Sequence, residues 1–386
     1  MRIEQLDYQD KDTGWKLTAA EFFPDLTLLV GVSGVGKTKI LRAIHTLRRI
    51  ARQSDSASPV WGVAWKIQFT TSGTRYLWEG EYEGRPEGDE PGTGTGSMMG
   101  LFDDDNDSTT GPKIVRERLT RGDELLIDRD RETILFQQKP TPKLSPVKSA
   151  LALLQEEDSI KPVIAGFGHI AFLDQTRPQT GETIYRFDSF CKRYQNIHAI
   201  REGDLPIYIK MALLSENDPS FFRSIVSQFR EVFPLVKDVK FERIVVGPFA
   251  DVPDLRIKEM GVENWIPERQ LSSGMFRTLM HLGSVALWPD ESVILIDEFE
   301  NSLGVNCLDD VTGDMMAHRS HLQFIVTSHH PYIINKILPT HWKLVTRKGG
   351  EVRMLDAVAA GIGKSHHEAF IQLMNSSLYQ DGVEAQ

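Results

Sequence analysis

Apolar and polar side chains alternate over the first thirty residues. They close on an unbroken run, Leu26-Thr27-Leu28-Leu29-Val30, which predicts a buried strand. A glycine-rich stretch follows. Then comes "KTKILRAIHTLRRIARQ", which places Ile40, Leu41, Ile44, Leu47 and Ile50 on one side of a helix. Residues 59–82 are rich in aromatic and β-branched side chains around "TSGT" and predict a hairpin. Residues 83–112 hold Gly, Asp, Pro, Ser and Thr with few large apolar side chains, and predict a mobile surface loop. Strand patterning resumes in "KIVRERLTRGDELLIDRDRETILFQQ", broken by short polar turns. A substantial antiparallel sheet is therefore expected beside the first strand and helix.

"SPVKSALALLQEEDSIKPVIAGFGHIAFLD" reads as a helix and then a buried segment. Residues 205–233 read as two helices split at "SENDPS", where Ser, Asn and Asp supply caps. Residues 235–258 return to strand patterning, and 275–288 are helical. "SVILIDEFE" and "LQFIVTSHH" are apolar strands of the kind parallel sheets contain. There is no internal repeat and no long heptad array, so no coiled-coil arm is expected.

Composition narrows the class without changing this picture. Of 386 residues, 40% are hydrophobic and 25% charged, as in ordinary soluble domains. No apolar run approaches the roughly 20 residues of a membrane helix, and the start "MRIEQLDYQD" has no apolar signal core, so the chain reads as cytoplasmic. Cys191 and Cys307 belong to no CxxC pair, which argues against zinc and disulfides. A net charge of −10 argues against nucleic-acid binding by the whole surface, though not by a local groove. Much of the excess negative charge sits in residues 83–112, which hold eight Asp and Glu against the single Arg85.

Four motifs carry chemistry. Gly31-x-x-x-x-Gly36-Lys37-Thr38 is a P-loop in its required context of strand, loop and helix. Backbone N–H groups of Gly31, Ser33, Gly34, Val35 and Gly36 would cradle phosphates. Lys37 would reach the β- and γ-phosphates, and Thr38 would offer its hydroxyl to Mg²⁺. A near-match, Gly361-Ile-Gly363-Lys364-Ser365, has Val358 where the first glycine belongs and no strand leading in, so it reads as a loop. In "VILIDEFEN" four apolar residues run into Asp297 and Glu298. Acids at the C-terminal end of a buried strand emerge where an α/β sheet binds ligands. Asp297 suits the metal-organising acid and Glu298 the base that polarises water. In "LSSGM", Ser272 and Gly274 start a helix. They fit a γ-phosphate clamp, although for this motif taken alone a plain N-cap is the commoner reading. In "FIVTSHHP", His329 follows a strand and could bond the γ-phosphate or the attacking water, although such a histidine is often structural.

The order of these motifs resembles the ABC-type ATPase family in its soluble branch, which includes SMC heads and RecF. "LSSGM" stands where that family has LSGGQ, "IDEFENSL" carries the Walker B pair and a D-loop (Asn301-Ser302-Leu303), and "TSHHP" carries the switch histidine, His329. A narrower likeness is to the stand-alone ATPases of bacterial anti-phage systems, among them the Septu and retron-associated ATPases and the ATPase half of OLD nucleases. It rests on "FPLVKDVKFERI", "LSSGMFRTL", "DEFENSLG" and "TSHHPYIIN", and spans roughly residues 15–345. Gly304 and His330 depart from residues common in that family.

The resemblance implies an α/β ABC-ATPase head with a P-loop parallel core, an antiparallel β subdomain and a small helical lobe. Residues 1–356 would form one head: 1–180 with the P-loop and antiparallel sheet, 185–288 as the signature lobe, and 289–356 with Walker B and the switch histidine. Residues 357–386 would be a C-terminal extension. ATP and Mg²⁺ would be bound between two copies, with Ser272 and Gly274 coming from the second. Hydrolysis would regulate a separate effector, an HNH-type nuclease being expected. The stretch after His329 is too short for the Toprim domain of OLD nucleases. The alternative is a DNA-repair or chromosome-maintenance ATPase. A Q-loop glutamine has candidates in Gln138 and Gln175. Lys39, Arg42, Arg48, Arg49 and Arg52 read as a solvated helix face, or a DNA-facing one.

Overall fold

The computed structural model describes residues 1–53, 60–86, 111–173, 187–246, 250–301, 305–318, 321–363, 366–376, 379 and 383–384. The chain opens with β1 (Arg2–Asp10), β2 (Trp15–Glu21) and β3 (Leu26–Val30), then α1 (Lys37–Arg52). β4 (Val63–Thr71) and β5 (Thr74–Tyr82) form the expected hairpin. Ser72 and Gly73 both have positive φ, as a tight hairpin turn requires. β6 (Ile114–Arg121), β7 (Glu124–Arg129), β8 (Ile134–Phe136) and β9 (Lys139–Pro140) continue the antiparallel meander. Most of the acidic stretch 83–112 lies outside the described residues. At its base Glu83 N–H donates to Lys113 O at 2.9 Å.

The stretch read as one helix is two, α2 (Ala150–Leu153) and α3 (Lys161–Gly168), followed by β10 (Ile170–Phe172). Ser149 caps α2, and Pro162 opens α3, where a missing N–H costs nothing. The second lobe holds α4 (Phe187–Arg193), α5 (Ile197–Glu202), α6 (Ile207–Asn217) and α7 (Pro219–Val232). Asp218 caps α7 at the expected split. β11 (Val236–Val246), β12 (Ala250–Glu259) and β13 (Ile266–Pro267) form a sheet of their own before α8 (Ser273–Leu287), so this lobe is not purely helical. Then follow β14 (Val293–Ile296), α9 (Val305–His318), β15 (Gln323–Thr327), α10 (Pro331–Lys336), β16 (Trp342–Lys348), β17 (Glu351–Asp356), α11 (His366–Asn375) and β18 (Val383–Glu384).

The main sheet runs β10-β14-β15-β3-β16-β17-β2-β1-β4-β5-β6-β7-β8-β9, with β18 beside β16. From β10 to β16 all neighbours are parallel, and from β1 to β9 all are antiparallel. β3 is buried on both faces. Leu29 joins α1 and the antiparallel strands in one core, while Leu26, Leu28 and Val30 join Ile294, Ile296, Phe324 and Val326 in another. The pleat alternates sides, so a strand sandwiched this way is apolar on both faces except at Thr27, whose buried Oγ1 accepts from Phe23 N–H at 2.8 Å. Residues expected to form a mere extension supply Ala369 and Leu373 to the second core. A third core belongs to the second lobe.

The basic face of α1 is also only partly solvated. Arg42 is exposed, but Arg48 and Arg52 both pair with Asp204 of the second lobe. The antiparallel part is pinned from inside by Glu117. Its buried carboxylate accepts from Trp78 Nε1 (3.0 Å), Ser149 Oγ (2.5 Å) and Ala150 N (2.7 Å), with Arg129 Nη1 at 3.8 Å. Deleting this acid leaves the buried Arg129 guanidinium without its countercharge and the Trp78 indole N–H without its acceptor. Glu117→Ala is therefore expected to cost about 3–5 kcal/mol in urea denaturation. A loss below about 1 kcal/mol, the range of an exposed ion pair, would contradict this.

Candidate nucleotide-binding site

β3 delivers the chain edge-on into the glycine loop, and the loop turns directly into α1. Gly31 must lack a side chain because a Cβ there would lie 2.6 Å from Val345 O of β16. Gly36 precedes α1 at φ 106°, a conformation that L side chains rarely adopt, with Trp15 packed behind it. Ser33 and Gly34 are exposed and Val35 is buried, so the loop offers its backbone outward over an apolar anchor. Lys37 is 5% exposed. Its Nζ donates to Gly31 O at 2.7 Å and Val32 O at 2.9 Å, folding back over the loop. Burial pulls its pKa down to about 8, against the opposing pull of Asp297, Glu300 and Glu298.

The parallel register does the rest. β14 pairs Ile296 with Val326 of β15, and β15 pairs Thr327 with Leu29 of β3. The residue following β14 is thus brought level with the loop that follows β3. Asp297 Oδ1 accepts from Thr327 Oγ1 at 2.6 Å and from Thr38 Oγ1 at 3.1 Å. Thr327 Oγ1 also accepts from Glu298 N–H at 2.7 Å. Glu298 itself is exposed and has φ 44°, a left-handed backbone unusual for a non-glycine residue. Such strain persists where the surroundings over-determine it, and here Phe299 N–H bonds Thr327 O at 2.9 Å to hold the turn. The carboxylate of Glu298 is therefore held out of the sheet edge, with Asn301 Nδ2 at 3.4 Å from Oε2.

His329 stands at the rim of the same edge. Its backbone N–H donates to Glu300 Oε1 at 2.7 Å. Partial burial lowers its pKa below the ordinary imidazole value and the Lys37 charge adds to this, while Glu300, Glu298 and Asp297 oppose. The ring is therefore neutral at neutral pH and can accept a hydrogen bond. His330, the departure beside it, serves the local backbone. Its Nδ1 accepts from Tyr332 N–H at 3.2 Å, capping α10.

Lys37, Thr38, Asp297, Glu298 and His329 thus meet at one sheet edge. Ser272 and Gly274 lie in the other lobe. The exposed Ser272 hydroxyl accepts from Met275 N–H at 3.1 Å, the N-cap geometry, and the flanking Leu271 and Phe276 sit in the third core. Gln138 lies in the β8–β9 turn, at the opposite end of the main sheet's strand order from β14 and β15. Gln175, Ser302, Leu303, Gly304, Lys364 and Ser365 lie outside the described residues. Two residues went unassigned from sequence, Thr327 and Glu300. Glu300 stands two residues past Glu298, and its second oxygen, Oε2, is buried without a hydrogen bond among the described residues.

The donor set suits a hard cation. One hydroxyl and one carboxylate, from different elements, match Mg²⁺, which keeps several waters and takes substrate phosphates as ligands. Among the described residues no cluster of three or more His, Cys, Asp or Glu could cage a metal alone. No described helix is long and apolar enough to cross a membrane. In an NMR titration His329 should titrate below the ordinary imidazole range. In Lys37→Ala its pKa should rise, because a neighbouring positive charge is gone. An unchanged or lower value would contradict the arrangement.

Residues 26–335 match the family described as AAA domain, putative AbiEii toxin, Type IV TA system. No curated protein matches the sequence. Among solved structures, an SMC head bound to the C-winged helix domain of ScpA is 14% identical, with 92% of this chain and 98% of that chain covered and a TM-score of 0.47. The SMC head domain from Thermotoga maritima is 16% identical, with 92% and 99% covered and a TM-score of 0.41. An SMC head with an extended coiled coil, bound to the C-terminal domain of ScpA derived from Pyrococcus furiosus, is 14% identical, with 93% and 98% covered and a TM-score of 0.46. All three likenesses are distant. The family match takes in the P-loop, the Ser272 helix, the Asp297–Glu298 strand end and His329, and the chain belongs to this AAA family.

Proposed function

We propose that the chain binds ATP with Mg²⁺ and hydrolyses it to ADP and phosphate in sites shared by two copies. The observation that carries this is the meeting of Thr38 and Thr327 on one oxygen of Asp297, which joins the P-loop to the acid-bearing strand end. Thr38 and Asp297 would hold Mg²⁺, which supplies charge neutralisation on the phosphates. The backbone from Gly31 to Gly36 cradles the phosphates, and Lys37 leaves its loop carbonyls for them. Glu298 takes the proton of the attacking water, and neutral His329 orients that water or the γ-phosphate. Ser272 and Gly274 of the second copy close the site, which the exposed position of Ser272 at the start of α8 favours. ATP then favours the closed dimer in proportion to its preference for that state.

The effector governed by this motion is proposed to be a separate nuclease of an anti-phage system. Support comes from the motif resemblance and from a family description that names a toxin. Co-purification with the product of the neighbouring gene tests it. No complex, together with no nucleotide-dependent change in nuclease activity, would reject it. A DNA-repair ATPase would instead show DNA-stimulated hydrolysis. Charge reversal should then be made at the exposed Arg42, since Arg48 is engaged by Asp204.

Two variants test the site. Glu298→Gln should keep ATP binding, lose about 10²–10⁴-fold in kcat, and run as a dimer with ATP on size exclusion with light scattering. If it stays monomeric while wild type turns over normally, the shared site is wrong. Lys37→Ala should lose ATP binding in calorimetry while remaining folded.

A further inference from the structure

The two halves of the proposed site start two helices. α1 begins at the P-loop and α8 begins at Ser272–Gly274. Their far ends are linked through one turn of chain, residues 201–204. Asp204 pairs with Arg48, and its Oδ2 lies 3.2 Å from Arg52 Nη2, both in the last turns of α1. Glu202 Oε2 lies 2.9 Å from Nε2 of His169, which follows α3. Gly168 clears the way, since a Cβ there would lie 2.0 Å from Arg52 Nη1. The same turn reaches the end of α8. Arg201 Nη2 donates to Ala286 O at 3.0 Å, where a cation suits a helix C-terminus. The fully buried Lys210 donates to Arg201 O at 2.6 Å and sits 4.1 Å above the Trp288 ring. Glu202 and Asp204 therefore bind the P-loop lobe, while Arg201 and Lys210 bind the end of the signature helix.

We infer that Asp204 is a positioning residue that fixes the orientation of the signature helix relative to the P-loop helix, and so determines whether two copies can close on nucleotide. Asp204's side chain is 41% exposed, and ion pairs of that kind add little to stability. Its contribution is geometric. Val285 and Trp288 at the end of α8 still pack into the second core, so removing Asp204 loosens the α1 side of the joint without unfolding either core. A small misplacement far from the chemistry lowers turnover, because catalysis here is positioning.

The inference rests on the shared-site reading, so one readout is independent of it. In the nucleotide-free full chain, Asp204→Asn should speed amide hydrogen exchange across 197–217 while leaving the melting temperature nearly unchanged. With ATP it should keep KM within about twofold and lower kcat by about ten- to a hundredfold. Asp204→Arg combined with Arg48→Asp should restore slow exchange and most of kcat. Unchanged exchange with kcat within twofold of wild type overturns the inference, as does a kcat loss that the charge swap fails to restore. If Glu298→Gln does not dimerise with ATP, the shared-site reading fails, and the exchange result still decides whether Asp204 locks the joint.

Discussion

One carboxylate oxygen holds the site together. Asp297 Oδ1 accepts hydrogen bonds from the hydroxyls of Thr38, on the helix after β3, and of Thr327, at the end of β15. These two bonds are possible only because β14, β15 and β3 lie side by side, parallel and in register. Parallel strands need long crossovers, and here the chain between β3 and β14 contains β4–β9 of the antiparallel part and the whole second lobe. More than half of the chain is thus inserted between the P-loop and the acids it works with. Both faces of β3 are buried, Leu29 in one core and Leu26, Leu28 and Val30 in the other.

The inserted lobe has its own core and its own small sheet, and it carries the start of α8 on its surface. Its orientation is therefore not set by continuous packing with the P-loop lobe alone. Val285 and Trp288 at the end of α8 pack into the second core, and polar contacts at the seam share in setting the orientation, among them the acids at 202 and 204 with their partners His169, Arg48 and Arg52. This division suits a device that must hold phosphates rigidly in one half and present the other half to a second molecule. Rigidity comes from the sheet and adjustability from the joint.

How much of this was legible in the sequence follows from how local each signal is. The strand at 26–30, the P-loop, the hairpin at 63–82 and the helix pair split at Asp218 are written in contiguous spacing. Lys37, Thr38, Asp297, Glu298 and His329 could be named because each sits at a strand or helix end with a recognisable neighbour. Thr327 could not, since its role depends on pairing with Asp297 thirty positions earlier. Glu300 was hidden because its bond goes to the backbone of His329. Arg48 and Arg52, four apart on a helix, look like a solvated face until Asp204, 156 residues from Arg48 in sequence, is folded against them. Lys210 gives one clue in sequence, a lone cation inside "IYIKMALL", but only the fold supplies Trp288 beneath it.

The central claim is that each nucleotide site is built from two copies. Mixing two variants tests it most directly. Lys37→Ala lacks a working P-loop, and Ser272→Arg lacks a working clamp, so each alone should be nearly inactive. In a mixed dimer one complete site remains, so equimolar mixing should restore turnover toward roughly a quarter of wild type, the statistical share of complete sites. A mixture no more active than the sum of its parts would contradict the account.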